Sequence, residues 1–144
     1  MSTHAATSRA SAARLASLLL PPLVVMGFIF FLSAQTSSGD HTVFGLLLRK
    51  LGHVTEYTVL TLCWWRALEG LGVSRDQRVV IALAVAIALV YAATDEFHQT
   101  FVSGRHGTPV DVLIDSIGIA IAAALAARSY ARRRSLGPSR PSAA

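Results

Sequence analysis

From Leu15 to Leu32 the chain runs 18 residues without a charged side chain. Wound as α-helix, that stretch is about 27 Å long, close to the roughly 30 Å hydrocarbon core of a bilayer. Pro21 and Pro22 lie inside it. A Pro pair would end a helix in water, but a membrane helix tolerates the kink. Of two further blocks, Val79–Thr94 is also uncharged and Val112–Ala127 carries a single charged side chain, Asp115. A fourth, Leu51–Leu68, is weaker, because it carries His53, Glu56 and Arg66 and only Tyr57–Trp65 is free of charge. The blocks predict an all-α membrane protein, a bundle of four transmembrane helices, with a re-entrant segment as the rival for the weak block. The third block is expected to stay helical through Phe101, and Trp64 and Trp65 suit a membrane interface.

Composition agrees. Hydrophobic residues make up 53% and charged ones 15%, with 13 Lys and Arg against 8 Asp and Glu. Soluble domains carry about 25% charge, so an ordinary globule, a charged disordered tail and a nucleic-acid-binding domain are all excluded. Cys63 is the sole cysteine, which removes disulfide frameworks and thiolate clusters. Arg9 and Arg14 before an apolar run suit a signal peptide. The run is longer than a usual signal core, however, and Leu32 spoils the small-residue cleavage site, so a retained first helix is expected. Residues 1–14 read as a mobile N-terminal tail, 15–130 as the membrane domain and 131–144 as a basic, disordered tail.

Charge placement predicts orientation. Four spans put both termini on one side, together with Arg9, Arg14, Arg66, Arg75, Arg78, Arg128, Arg132, Arg133, Arg134 and Arg140. Arg49, Lys50 and Arg105 fall on the other side. Ten against three is a positive-inside bias, so both termini are expected in the cytoplasm. The basic pI of about 10.4 is then topology information, and no nucleic-acid partner is expected.

Span parity brings most of the remaining polar residues to the outer face. Lys50, His53 and Tyr57 share one stripe of the second helix, being three and seven residues apart. Tyr91, Asp95 and His98 share one of the third, with Glu96 and Gln99 on a neighbouring stripe. Arg105 follows in a loop marked by Gly104, Gly107 and Pro109. Asp111, Asp115 and Gly118 share a stripe of the fourth, which continues through Ala122 and Ala126 as a small-residue packing surface. An ionised Asp at mid-membrane costs about 2.5–3.5 kcal/mol, so these groups are expected to pair or to line a wet cavity.

That placement leaves several roles open. His53, Asp95, Glu96, His98 and Asp111 form a hypothetical acid–base cluster, with a carboxylate orienting a histidine. Lys50, Tyr57, Tyr91, Gln99, Arg105 and Asp115 are expected to bind, Arg105 through its bidentate fork. Individually, Lys50 and Arg105 suit interface anchoring, the tyrosines an aromatic belt, and Asp111 the N-cap of the last helix. No organic cofactor is expected. A metal held by His53, Asp95, His98 and Asp111 is conceivable from the residue types alone. Three functions stay open: a binding protein, an enzyme with acid–base chemistry, and a small transporter or proton-linked subunit. The apolar inner halves of the third and fourth blocks argue against the last.

The set Lys50-x2-His53-x2-Glu56-Tyr57, then Tyr91-x3-Asp95-Glu96-x-His98-Gln99, then Gly104-Arg105-x5-Asp111 resembles the VanZ-like family, from about residue 20 to 127. Asp115 stands where the family commonly has Asn, and Ser103 where it often has Pro. The resemblance implies a small multi-pass protein of the bacterial cell membrane, linked through the family's name-giving member to teicoplanin resistance. Its implied partners are membrane lipid, a lipid-linked envelope precursor or a glycopeptide; oligomeric state stays open.

Overall fold

A computed structural model describes residues 2–35, 42–105 and 107–136, with side chains from residue 11 onward. The 131–144 tail reading therefore falls partly outside the described residues. Four helices follow in order: α1 (Ser2–Ser33), α2 (Val43–Leu71), α3 (Gln77–Gln99) and α4 (Pro109–Ser135). Backbone helix runs from Ser2 through the stretch read as an N-terminal tail.

Each start and stop has a local cause. The Thr42 and Asp76 side chains accept from the Gly45 and Arg78 amides and so cap α2 and α3. Thr108 caps α4 with Pro109 in the first turn, where its missing N–H costs nothing. Asp111 is therefore not the N-cap expected from sequence; it sits three residues inside and takes the Thr108 hydroxyl at 2.8 Å. Gly72 ends α2 in the left-handed region at φ 69°, which glycine adopts without a Cβ clash. Nor does α3 reach Phe101. Its ladder tightens after Gln99 into successive three-residue turns, in which the Phe101 amide donates to His98 and the Val102 amide to Gln99. Those turns and Gly104, at φ 75°, bring Arg105 back toward the end of α1.

The helices alternate in direction. The Arg14 guanidinium donates to the Gly70 carbonyl, and that of Arg66 to the Ser17 carbonyl at 3.0 Å, so α1 and α2 are antiparallel. Proline at position 21 has no N–H for that Ser17 carbonyl, four residues earlier, and Arg66 fills the gap. Arg133 reaches Glu69 at 3.3 Å and lies over Trp65. Arg14, Arg66 and Arg133 thus gather at one end of the bundle.

Small residues set the packing. α4 buries Gly118, Ala122 and Ala126, as its stripe predicts, and α3 buries Val80, Ala84, Ala88 and Ala92. A Cβ on Gly118 would overlap the Val54 carbonyl of α2, and the Thr58 hydroxyl donates to the Gly118 carbonyl at 3.0 Å. α2 contacts all three other helices, whereas α1 lies along α2 and touches α3. Ile29, Tyr57, Leu60 and Ile119 fill the core between them. Trp64, partly buried, packs against this core.

The outside is apolar. Leu23, Val24, Phe28, Phe31, Leu51, Val90, Leu113 and Ile117 are all more than half exposed. A soluble protein rarely leaves so continuous an apolar surface uncovered; lipid is the solvent it fits. α1, α3 and α4 are long and apolar enough to cross a membrane. α2 has the length, at 29 residues, but carries the charged side chains of the site.

Candidate functional site

The end of the bundle opposite Arg14, Arg66 and Arg133 holds the polar residues, and the four-residue rise of parallel helices decides who meets whom. α2 and α4 both begin there and run in the same direction. Lys50 meets Asp111 in an ion pair. One turn deeper, His53 Nδ1 lies 3.1 Å from Asp115 Oδ1. Deeper again, Val54 and Thr58 meet Gly118. The two stripes read from sequence thus face each other as successive rungs. Burial increases along them: Asp111 is partly exposed, while Asp115 is fully buried.

The end of α3 serves two seams. Tyr91, Asp95 and His98 do share a face, as their spacing predicts, but that face meets α1. The Tyr91 hydroxyl donates to the Met26 carbonyl at 2.6 Å, the Ser33 hydroxyl donates to Asp95 Oδ2 at 2.8 Å, and the His98 ring packs against Phe30 at 4.5 Å. Tyr91 therefore ties two helices together rather than marking an interface belt, and His98 lies against α1. The neighbouring stripe turns toward α2 and α4. Gln99 Nε2 donates to Glu96 Oε1 at 3.1 Å and to Asp95 Oδ2 at 3.2 Å, and the Thr108 amide donates to Glu96 Oε2 at 3.1 Å. Gly107 allows this approach, since a Cβ there would overlap the Glu96 carbonyl.

Arg105 holds the end of α1. Its Nε donates to the Gln35 carbonyl at 3.1 Å and its Nη2 to the Leu32 carbonyl at 2.9 Å, satisfying acceptors a helix terminus leaves unpaired. This tie uses much of the fork that the sequence suggested for a ligand.

Between these groups lies a cavity of about 250 Å³ lined by Arg49, Lys50, His53, Glu96, Gln99, Arg105 and Asp111, with Leu46 and Ile114 as apolar wall. A second of about 200 Å³ shares Arg49, His53 and Arg105 and extends to Ser33 and Glu56. Asp95, His98 and Tyr91 line neither. The four residues that suggested a metal from sequence are thus held apart: Asp95 and His98 face α1, and Asp111 is engaged by Lys50. Ligating atoms that do lie within 4.8 Å of one another belong to His53, Glu96 and Asp115. The sequence reading gave Thr108 no part, although Thr before Pro is the usual start of a helix and was the signal available. Nor did it single out Arg49 and Glu56 as cavity residues.

Buried atoms without partners add to the site. Tyr57 Oη, Asp95 Oδ1 and Asp115 Oδ2 are shielded from solvent and make no hydrogen bond among the described residues. Unmatched buried polar atoms usually mark a water, an ion or a ligand contact.

An apolar-surfaced helical bundle with a polar cavity sunk into one end defines a class: a multi-helix membrane protein with a charged cavity between its helices. The sequence profile of the VanZ/LLP1 family matches residues 7–130, and the chain belongs to that family. No curated protein and no solved structure matches it.

Proposed function

We propose that this VanZ-family protein crosses the bacterial cell membrane four times with both termini in the cytoplasm. In this reading the cavity opens toward the outer leaflet and takes the phosphate-bearing headgroup of a lipid or lipid-linked envelope precursor. The observation that carries the reading is the cavity's lining. Arg49, Lys50 and Arg105 supply cations for a phosphate, while His53, Glu96 and Gln99 supply hydrogen-bonding groups for the rest of a headgroup. Size supports it as well. About 250 Å³ is below the roughly 300–1,000 Å³ of pockets for drug-sized ligands, which favours a headgroup over a glycopeptide. A role in teicoplanin resistance would then run through the envelope component rather than capture of the drug. A small binding protein needs no nucleophile.

Orientation is tested by cysteine labelling in a Cys63→Ser background. Gly107 is a poor site, because any side chain there meets Glu96. Ser103 and Arg75 are exposed at opposite ends. Ser103→Cys should react with an impermeant thiol reagent from outside intact cells, and Arg75→Cys only after lysis. The reverse pattern would overturn the orientation.

Binding is tested by titrating short-chain phosphatidylglycerol or phosphatidylethanolamine into detergent-solubilised protein. Saturable binding is expected, weakened about ten-fold or more in Lys50→Met, since a charge-assisted contact contributes roughly 1.5–3 kcal/mol. Undiminished affinity in a Lys50→Met, Arg105→Met double variant that keeps its helix content would sink the headgroup reading.

A further inference from the structure

We propose that His53, Glu96 and Asp115 hold a divalent first-row cation at the floor of the cavity. The three residues come from α2, α3 and α4, so the site exists only when all three helices pack. Each offers one ligating atom, and these atoms lie within 4.8 Å of one another. Two metal–ligand bonds of roughly 2.0–2.2 Å span a little over 4 Å end to end, so small side-chain rotations close the set around one ion. His53 Nδ1 and Asp115 Oδ1 already stand 3.1 Å apart, the spacing of neighbouring ligands in such a shell.

Asp115 supplies an independent reason. It is fully buried, and its Oδ2 has no hydrogen-bond partner among the described residues. Because Oδ1 of the same carboxylate touches His53, the orphan oxygen sits inside the cluster. The buried Tyr57 hydroxyl, also without a hydrogen-bond partner among the described residues, is in electrostatic reach of Asp115, Glu96 and Asp95. Charge balance points the same way. Glu96 and Asp115 are 4% and 0% exposed, and Lys50 is paired with a different carboxylate, Asp111. A divalent ion with a neutral imidazole offsets both carboxylates at a depth where uncompensated charge is costly.

The neighbours suit ligation. Gln99 and the Thr108 amide fix the two oxygens of Glu96, the outer hydrogen bonds that orient ligating carboxylates. One imidazole and two carboxylates select Mn²⁺, Fe²⁺ or Zn²⁺ over softer ions, and leave coordination positions free. His53 and Glu96 both line the cavity, so those positions face it. The inference does not require that the cavity take a headgroup.

The test uses tag-free full-length protein in detergent, stripped with chelator and titrated with Mn²⁺ or Zn²⁺ alone. One ion per chain is expected, with affinity falling at least ten-fold in Asp115→Asn and Glu96→Gln and unchanged in Glu69→Gln. Mn²⁺-loaded protein should show nitrogen modulation in pulsed electron paramagnetic resonance, lost in His53→Gln. Should Asp115→Asn fail to fold, the Glu96→Gln titration and the nitrogen signal decide. A parent protein that binds neither ion, or variants that bind as tightly as the parent, would overturn the site.

Discussion

Gly118→Leu is expected to cost the protein its native bundle. Even one Cβ at this position would overlap the Val54 carbonyl, and the next nearest atoms are the Val54 carbonyl carbon and the Thr58 hydroxyl. The first two are backbone, so relief requires the helices to move apart. Overpacking a tight core costs about 1–3 kcal/mol or more, and a leucine adds three carbons beyond the Cβ. Separation of α2 from α4 would also part Lys50 from Asp111 and His53 from Asp115, because the three rungs share one seam. Thermal unfolding in detergent, followed by helical circular dichroism, should show a loss of many degrees or no cooperative transition. Gly52→Ala is the control. It lies in the same helix pair with no atom within 4 Å of its Cβ, and should be neutral or gain up to about 1 kcal/mol from helix propensity. A Gly118→Leu protein as stable as its parent would show that α2 and α4 do not approach this closely.

His53→Leu should have the second largest effect. It leaves the fully buried Asp115 carboxylate without its one hydrogen-bond partner. Breaking a buried pair from one side costs about 3–5 kcal/mol. Replacing both partners, as His53→Leu with Asp115→Val, removes the stranded charge and should recover most of that loss, because an apolar pair of similar volume is often neutral or better. The recovered protein would still lack the site, so stability would return without ligand or metal binding. Equal stability of the single variant and the parent would deny the pair a structural role. A double variant as unstable as the single one would place the cost in packing rather than charge.

Much of the architecture was legible because a bilayer leaves few choices. A long apolar run has little alternative to helix, since lipid offers its backbone no hydrogen bonds. Leu15–Leu32, Val79–Thr94 and Val112–Ala127 each lie in one of the observed helices. The small-residue stripe Gly118–Ala122–Ala126 was equally readable, because only close packing uses such a face. Leu51–Leu68 was harder, since its charges hid a helix that packs against every other one. Asp111 was misplaced as a cap because Thr108, three residues earlier, has the same capping ability. The end of α3 was overextended because helical propensity continues past Gln99, whereas tertiary contacts of Arg105 with α1 turn the chain there.

The site divides in the same way. Periodicity correctly placed Tyr91, Asp95 and His98 on one face and Glu96 and Gln99 on the next. It carried no information about which neighbour each face would meet. Tertiary packing turned the first face to Met26, Phe30 and Ser33 of α1, and the second to the cavity. The conceivable metal set of His53, Asp95, His98 and Asp111 is split between these two faces, and the ligating atoms within 4.8 Å of one another belong to His53, Glu96 and Asp115. By itself the sequence determined an all-helical chain with an apolar outside and its polar groups gathered at one end, because hydropathy and helical period are local properties. Only the tertiary structure decided which carboxylate faces which histidine, because that depends on the rotation and depth of each helix, set by contacts such as Gly118 against Val54.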